Sequence, residues 1–102
     1  MEIKNLAQLK RAINDCKEFV ILQHFIKPEY TGQIRRPTTV QTNGFYSAAV
    51  EDIESGKPLS NFGKGIWIEY GKASEWKFEN GECYYAKTHQ GMSKPIWKIS
   101  FL

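Results

Sequence analysis

The sequence has few residues of the kinds that carry enzymatic chemistry. Its 102 residues include only two cysteines, Cys16 and Cys83, and two histidines, His24 and His89. It has no Cys-x-x-Cys and none of the motifs GxxxxGK[ST], GxGxxG and HExxH. A Cys–His nucleophile needs an orienting third group, and the sequence shows none. We therefore predict a protein that is not an enzyme, with no catalytic residue, no metal and no cofactor.

Long apolar runs are missing as well. The longest, Phe19 to Leu22, is far too short to cross a bilayer, and the N-terminal MEIKNLAQLK lacks the apolar core of a signal peptide. Two isolated cysteines are typical of reduced thiols, although a single disulfide is possible if the fold brings them together. These features predict a cytoplasmic protein without a membrane partner.

Charge of one sign is only slightly in excess. Fourteen basic and eleven acidic residues give a net charge of +3, and the longest basic run is Arg35-Arg36. This balance excludes a basic tail and a strongly acidic DNA mimic, and it fits a negatively charged partner. The acidic group Glu51, Asp52 and Glu54 lacks a second set of ligands, so we interpret it as a solvated face rather than a cation site.

The length predicts a single domain, residues 1–102, that begins with one helix. Leu6, Leu9, Ile13 and Cys16 recur at helical spacing on one apolar face, which predicts an amphipathic helix from Leu6 to about Cys16. Asn5 is placed to cap its start, with Gln8 in the capping-box position, so that the helical segment spans residues 5–16.

The remainder, residues 18–102, has the composition of short strands. β-branched and aromatic residues predict strands at Glu18–Ile26, Gln33–Thr42, Phe45–Ser47, Gly65–Tyr70, the hairpin 76–85 and Ile96–Leu102. Pro37 predicts an open side or a bulge. Ala48–Ser55 is either a short helix, capped by Ser47 and stopped by Gly56, or an irregular excursion. We expect loops at 27–32, 56–65 and 89–95.

Two Asn-Gly dipeptides predict tight hairpin turns, at Asn43-Gly44 and Asn80-Gly81. For the second we expect the pairs Trp76–Tyr85, Lys77–Tyr84, Phe78–Cys83 and Glu79–Glu82, which place apolar side chains on one face and polar ones on the other. The fold class is therefore α+β: one N-terminal helix on a strongly bent antiparallel sheet, or a small SH3-like barrel, of about six short strands. A flat open sheet is the alternative.

Several aromatic and basic residues exceed what a small core needs. Tyr84 falls on the polar face of its hairpin beside Lys77, and Tyr46 lies on the face opposite Phe45. Such a surface suits base stacking or a protein-binding hot spot, and ordinary exposed side chains would give the same pattern. The candidate binding residues are Arg35, Arg36, Asn43, Tyr46, Trp67, Tyr70, Lys72, Lys77 and Tyr84.

The middle of the chain combines Gly32, Arg35, the stretch 40–45 (VQTNGF), Trp67 and Lys72-Ala73. In these features it resembles small uncharacterised proteins of bacteriophages and mobile elements of Firmicutes. The resemblance implies no catalytic residue. It implies a stoichiometric binding protein in the host cytoplasm, with Ala48 to Gly65 as the loop that varies with the target.

We therefore predict a phage-type binding protein that inhibits or sequesters a host factor, including a defence component such as a CRISPR nuclease. The alternative is a module that binds nucleic acid or a nucleotide through an Arg/Lys/aromatic face. A homodimer formed through an exposed sheet edge also stays open.

Overall fold

A computed structural model describes residues 2–102, and its helices and strands account for most of them. The helices are α1 (Leu6–Asn14) and α2 (Val50–Ser55); single 3-10 turns occur at Pro28–Tyr30 and Ala73–Glu75, and one further helical turn with left-handed residues occurs at Ser60–Gly63. The strands are β1 (Phe19–His24), β2 (Ile34–Gln41), β3 (Gly44–Ala49), β4 (Ile66–Glu69), β5 (Trp76–Glu79), β6 (Glu82–His89) and β7 (Met92–Phe101).

The seven strands form one antiparallel sheet in the order β4-β3-β2-β1-β7-β6-β5. The α+β class is confirmed, with one strand more than expected. Within residues 2–102 the edge strands β4 and β5 do not pair with each other, so the sheet is not closed into a barrel. It is nevertheless bent, because Lys87 Nζ of β6 lies 3.7 Å from Glu69 Oε2 of β4. No helix within this range is long and apolar enough to cross a membrane.

Helix α1 packs on the concave side of the sheet, which we call the inner face; the other side is the outer face. Leu9 and Ile13 are fully buried and join the core, whose largest rings include Phe19 and Phe45. Asn5 Oδ1 accepts from the Gln8 amide at 2.8 Å, as predicted, while Gln8 Oε1 accepts from the Lys4 amide rather than that of Asn5.

The helix ends two residues earlier than expected. Cys16 adopts a positive φ of 56°, its amide donates to Ile13 O, and the Lys17 amide donates to Ala12 O. This pair of bonds is a Schellman cap, which satisfies the last carbonyls and turns the chain toward β1. Cys16 is therefore exposed rather than on the buried face, and it and Cys83 are free thiols.

The second Asn-Gly turn has the predicted geometry. Asn80 and Gly81 have φ of 53° and 76°, as a type I′ turn requires. All four expected cross-strand pairs occur. The inner residues Trp76, Cys83 and Tyr85 are buried, as predicted from the alternation. The last strand alternates in the same way, with Trp97, Ile99 and Phe101 buried on the inner face.

The first Asn-Gly does not form the turn we predicted. Gln41 pairs with Gly44, so the two connecting residues are Thr42 and Asn43, and neither has a positive φ. Gly44 instead permits a close approach between strands. A Cβ there would lie 2.5 Å from Ile68 O and 2.6 Å from the Trp67 ring. The dipeptide therefore serves β3–β4 packing rather than turn geometry.

A third hairpin replaces the loop predicted over residues 89–95. Gln90 and Gly91 have φ of 52° and 76° and connect β6 to β7, with His89 paired to Met92. The loop prediction was wrong because Gln-Gly is a weaker turn signal than Asn-Gly. The predicted bulge at Pro37 is confirmed by a register shift between Pro37 and Thr39. The helical alternative for 48–55 is also confirmed, although α2 begins after Ala49 and not at a Ser47 cap.

Candidate functional site

The outer face of β3 and β4 carries a pair of half-buried rings. Tyr46 and Trp67 are cross-strand partners, and their ring centroids are 5.0 Å apart. Lys64, just before β4, places its Nζ 5.4 Å from the centre of the Tyr46 ring. A cation at this distance is attracted by the ring's electron density, so the three side chains form one unit.

A large apolar side chain, Phe62, is exposed two residues before Lys64 in the chain. The turn Ser60–Gly63 contains two left-handed residues, Asn61 and Phe62, with φ of 53° and 58°. The Phe62 side chain makes no shielding contact and is fully exposed, at 104% relative accessibility. Full exposure of phenylalanine is uncommon, because burying such a ring is worth about 2 kcal/mol.

The loop that carries Phe62 is held against the sheet. Asn61 Nδ2 donates to Gly65 O at 2.6 Å, and Thr38 Oγ1 of β2 donates to Lys64 O. Gly65 sits so close to β3 that a Cβ there would lie 2.2 Å from Ser47 O. These contacts tie the C-terminal end of the turn to the sheet, and the Asn61 bond closes the turn onto that end. We call Tyr46, Phe62, Lys64 and Trp67 the loop-tip surface.

A second aromatic group lies on the outer face of β5 and β6. Lys77 Nζ is 6.0 Å from the Tyr84 ring, which also meets Phe25 edge to face at a centroid distance of 6.0 Å. Lys98 is adjacent, but it pairs with Glu82 at 3.7 Å. Acidic and basic groups therefore alternate here, and the patch carries little excess positive charge.

The two predicted arginines lie in opposite environments. Arg35 points to the inner face and is 4% exposed, and burial lowers the pKa of its guanidinium. Arg36 points outward, with Nη2 2.6 Å from Glu18 Oε2 and 3.9 Å from Glu54 Oε1. Neither guanidinium is an unengaged cation on the outer surface, and neither belongs to the loop-tip surface.

The remaining predicted residues do not gather with Tyr46 and Trp67 as a set. Tyr70 is 3% exposed, and burial raises its pKa to about 12. Its backbone amide donates to Asn43 O at 3.0 Å, and Asn43 itself is exposed in the first turn. Lys72 is exposed, and its amide donates to Glu75 Oε1 at 2.7 Å. The structure thus brings Tyr46 and Trp67 together, and separately Lys77 and Tyr84.

Histidine and cysteine occupy positions that packing explains. His24 Nδ1 accepts from the Lys27 amide at 2.9 Å, and the ring meets Tyr30 edge to face. Burial, then Lys27, lowers the pKa of His24, while burial raises that of Cys83 to about 12. No group of three or more His, Cys, Asp or Glu side chains among residues 2–102 is placed to hold a metal ion.

Comparison of the chain with known protein families, with curated proteins and with solved structures finds no match. The site is therefore described by its own geometry. Sequence reasoning missed Phe62, because a single ring between Gly56 and Gly65 has no neighbours that form a pattern. The available signal was that isolation: one phenylalanine in a stretch otherwise typical of a polar loop.

Proposed function

We propose that this chain is a non-enzymatic binding protein that contacts a host protein through the loop-tip surface and thereby inhibits or sequesters it. The observation that carries the proposal is the fully exposed Phe62 on a loop tied to the sheet. Aromatic side chains of this kind act as anchors in protein interfaces, where they fill a pocket on the partner. Tyr46 and Trp67 would extend the contact, and Lys64 supplies a positive charge at its border.

Backbone strain supports the same assignment. Left-handed backbone costs on the order of 1–2 kcal/mol at a residue such as Phe62, and less at Asn61, because asparagine adopts this region routinely. Such strain is typical of binding segments that are held in their bound conformation. Because the loop is already ordered, association loses less conformational entropy than it would with a free segment.

The class of partner follows from the resemblance to phage and mobile-element proteins. In that setting the partner is a host factor, including a component of host defence such as a nuclease. A net charge of +3 favours encounter with an acidic surface.

The test compares Phe62→Ser with the wild type as affinity baits in host lysate, with mass spectrometry and nucleic-acid detection on each eluate. We expect a stoichiometric protein whose affinity falls by about 10- to 30-fold in Phe62→Ser, from the loss of one buried ring. Met92→Ser is the matched control, because Met92 is 74% exposed at the tip of a different hairpin. A partner that binds Phe62→Ser as tightly as Met92→Ser would show that the loop-tip surface is not the contact. If no host protein is retained by the wild type, the proposal itself is contradicted.

Nucleic-acid binding is the second candidate, favoured by Lys77 beside Tyr84. Binding of single-stranded DNA or RNA should then weaken steeply with salt, and Lys77→Gln should reduce the slope by about one counterion. Affinity independent of salt would exclude this candidate. Arg35 and Arg36 are poor probes of it, since one is buried and the other is paired with Glu18.

A further inference from the structure

The bend of the sheet leaves a cavity of about 220 Å³ on the inner face. It lies between β4 on one side and β6 and β7 on the other, with β1 beneath it. Its wall is mostly apolar and includes Phe19, Ile21, Ile66, Ile68, Ile96 and Trp97. Ligand cavities are commonly about 300–1,000 Å³, so this one suits a molecule with a single ring or a short branched chain.

One cationic side chain is buried in this wall. Arg35 is 4% exposed, and its three hydrogen bonds go to neutral oxygens: Ser47 Oγ at 2.9 Å, Ser47 O at 2.6 Å and Gln33 Oε1 at 2.6 Å. A guanidinium has five N–H groups, so two remain, one on each terminal nitrogen. Below the guanidinium, the centre of the Tyr30 ring lies 5.5 Å away.

No carboxylate within residues 2–102 forms an ion pair with this guanidinium. Asp52 is near enough to act on Arg35 electrostatically, but its own ion pair is with Lys57, at 3.9 Å. A buried charge without a counter-ion is costly, and arginine keeps its proton at any physiological pH. The cavity wall therefore holds a cation that an anion would stabilise.

The other charged groups at the cavity nearly cancel. Lys87 and Glu69 pair at 3.7 Å, and burial lowers the pKa of His24, which favours its neutral form at pH 7. The lining residues thus carry a net charge of about +1, from Arg35. Charge complementarity selects an occupant with a single negative charge and an apolar body.

We propose that this cavity binds a small organic carboxylate, with the carboxylate on the two remaining N–H groups of Arg35 and the apolar body against Ile66, Ile68 and Trp97. Arginine is well suited to a carboxylate, because its planar donors match the two oxygens. Ile66 and Ile68 alternate with Trp67 along β4 and point to the opposite face of that strand, but Trp67 also lines the cavity, so the two proposed sites share one residue. The carboxylate site does not rest on the proposed protein-binding function, because Arg35 and the apolar residues that would hold the ligand lie outside the loop-tip surface.

The first experiment uses the unmodified protein. Phenylacetate and its uncharged analogue phenylacetamide are titrated into ¹⁵N-labelled chain and followed by NMR. We expect phenylacetate to bind with a Kd of roughly 0.1–1 mM, a modest affinity for a ligand of about ten non-hydrogen atoms, and phenylacetamide to bind at least about tenfold more weakly. The shifted resonances should be those of the cavity wall, including the indole of Trp97.

Benzylphosphonate distinguishes a carboxylate site from a general anion site, and equal or tighter binding of the phosphonate would overturn the assignment to carboxylates.

The paired variants are Arg35→Gln and its control Arg36→Gln, the same change one residue away on the outer face. Arg35→Gln should abolish the preference for acid over amide, and Arg36→Gln should preserve it. If Arg35→Gln does not fold, the acid–amide comparison in the wild type still decides. Three results would each overturn the proposal: equal affinity of the wild type for phenylacetate and phenylacetamide, resonance shifts confined to the outer face, or no binding of phenylacetate at about 10 mM.

Discussion

Arg35 and Arg36 are consecutive residues of β2, and yet they lie in different physical environments. Arg35 is on the inner face, 4% exposed, with neutral oxygens as its partners. Arg36 is on the outer face, with 35% of its side chain exposed and Glu18 beside it. The pleat of a strand alone produces this difference. A basic dipeptide is therefore two separate features rather than one basic patch.

The aromatic residues follow the same division. On the inner face rings contact rings, as in Phe19 with Phe101 at 5.6 Å and Trp76 with Trp97 at 5.2 Å. On the outer face rings contact lysines as well as other rings, as Tyr46 does with Lys64 and Trp67. The inner rings stabilise the fold through burial, whereas the outer rings keep one side exposed. Substitutions of charged residues on the two faces can test how strongly burial separates their contributions to stability.

The largest expected effect is that of Arg35→Ala on stability. The change removes three hydrogen bonds, leaves the buried Ser47 hydroxyl without its partner and enlarges the cavity, so we expect the free energy of unfolding to fall by about 3 kcal/mol. Chemical denaturation at pH 7 measures it. Arg35→Met keeps the volume without the charge and should recover part of the loss. A loss below about 1 kcal/mol for Arg35→Ala would show that the inner arginine is no more important to the fold than a surface residue.

Local pairing was the part of the fold that the sequence predicted best. Asn80-Gly81 forms its turn with all four expected pairs, because both residues accept a positive φ and the flanking side chains alternate cleanly. Asn43-Gly44 failed in the same role, because contact with Trp67 and Ile68 decides the position of Gly44. A dipeptide predicts a turn only where no other strand competes for its glycine.

The candidate sites were less predictable, for a related reason. The outward position of Tyr46 followed from alternation with Phe45, and the structure confirms that alternation. The cavity beside Arg35 depends on the bend that brings β4 toward β6. Because these strands are far apart in sequence, no local pattern predicts that they lie close together. Phe62 is exposed because contacts from β2 and β3 hold its loop, and no local pattern encodes those contacts.

A smaller effect is expected at the buried acid Glu75, which extends the comparison to a negative charge. Its carboxylate accepts from the amides of Thr88 and Lys72, and these bonds, Thr88 first, lower its pKa below the ordinary 4.5. A folded-state pKa below the unfolded one means that the stabilisation is complete above about pH 4.5 and is lost as the pH falls through the folded value. We expect Glu75→Gln to be less stable than the wild type at pH 7 and closer to it at pH 3.

The measurement is the free energy of unfolding of both proteins between pH 7 and pH 3, by urea denaturation. The two curves should converge on acidification. Protonation removes the charge of Glu75, and with it the stabilisation, whereas the glutamine has no charge to lose. Parallel curves would mean that the bonds from Thr88 and Lys72 do not discriminate between the two protonation states. The stability contributed by Glu75 would then depend on pH no more than that of an exposed carboxylate, and burial would not distinguish it.

The smallest expected effect is that of Arg36→Ala, because the ion pair with Glu18 is one-third exposed. Pairs of this kind contribute about 0.5 kcal/mol at low salt, and 1 M NaCl screens most of that. Denaturation of Arg36→Ala and the wild type at both salt concentrations measures the loss and its screening. Arg35→Ala serves as the contrast, since its loss should persist in salt. If Arg36→Ala were to cost as much as Arg35→Ala and resist salt in the same way, exposure would not be what separates the two arginines. Arg36 would then count among the residues that stabilise the fold as a buried residue does, despite its position on the outer face.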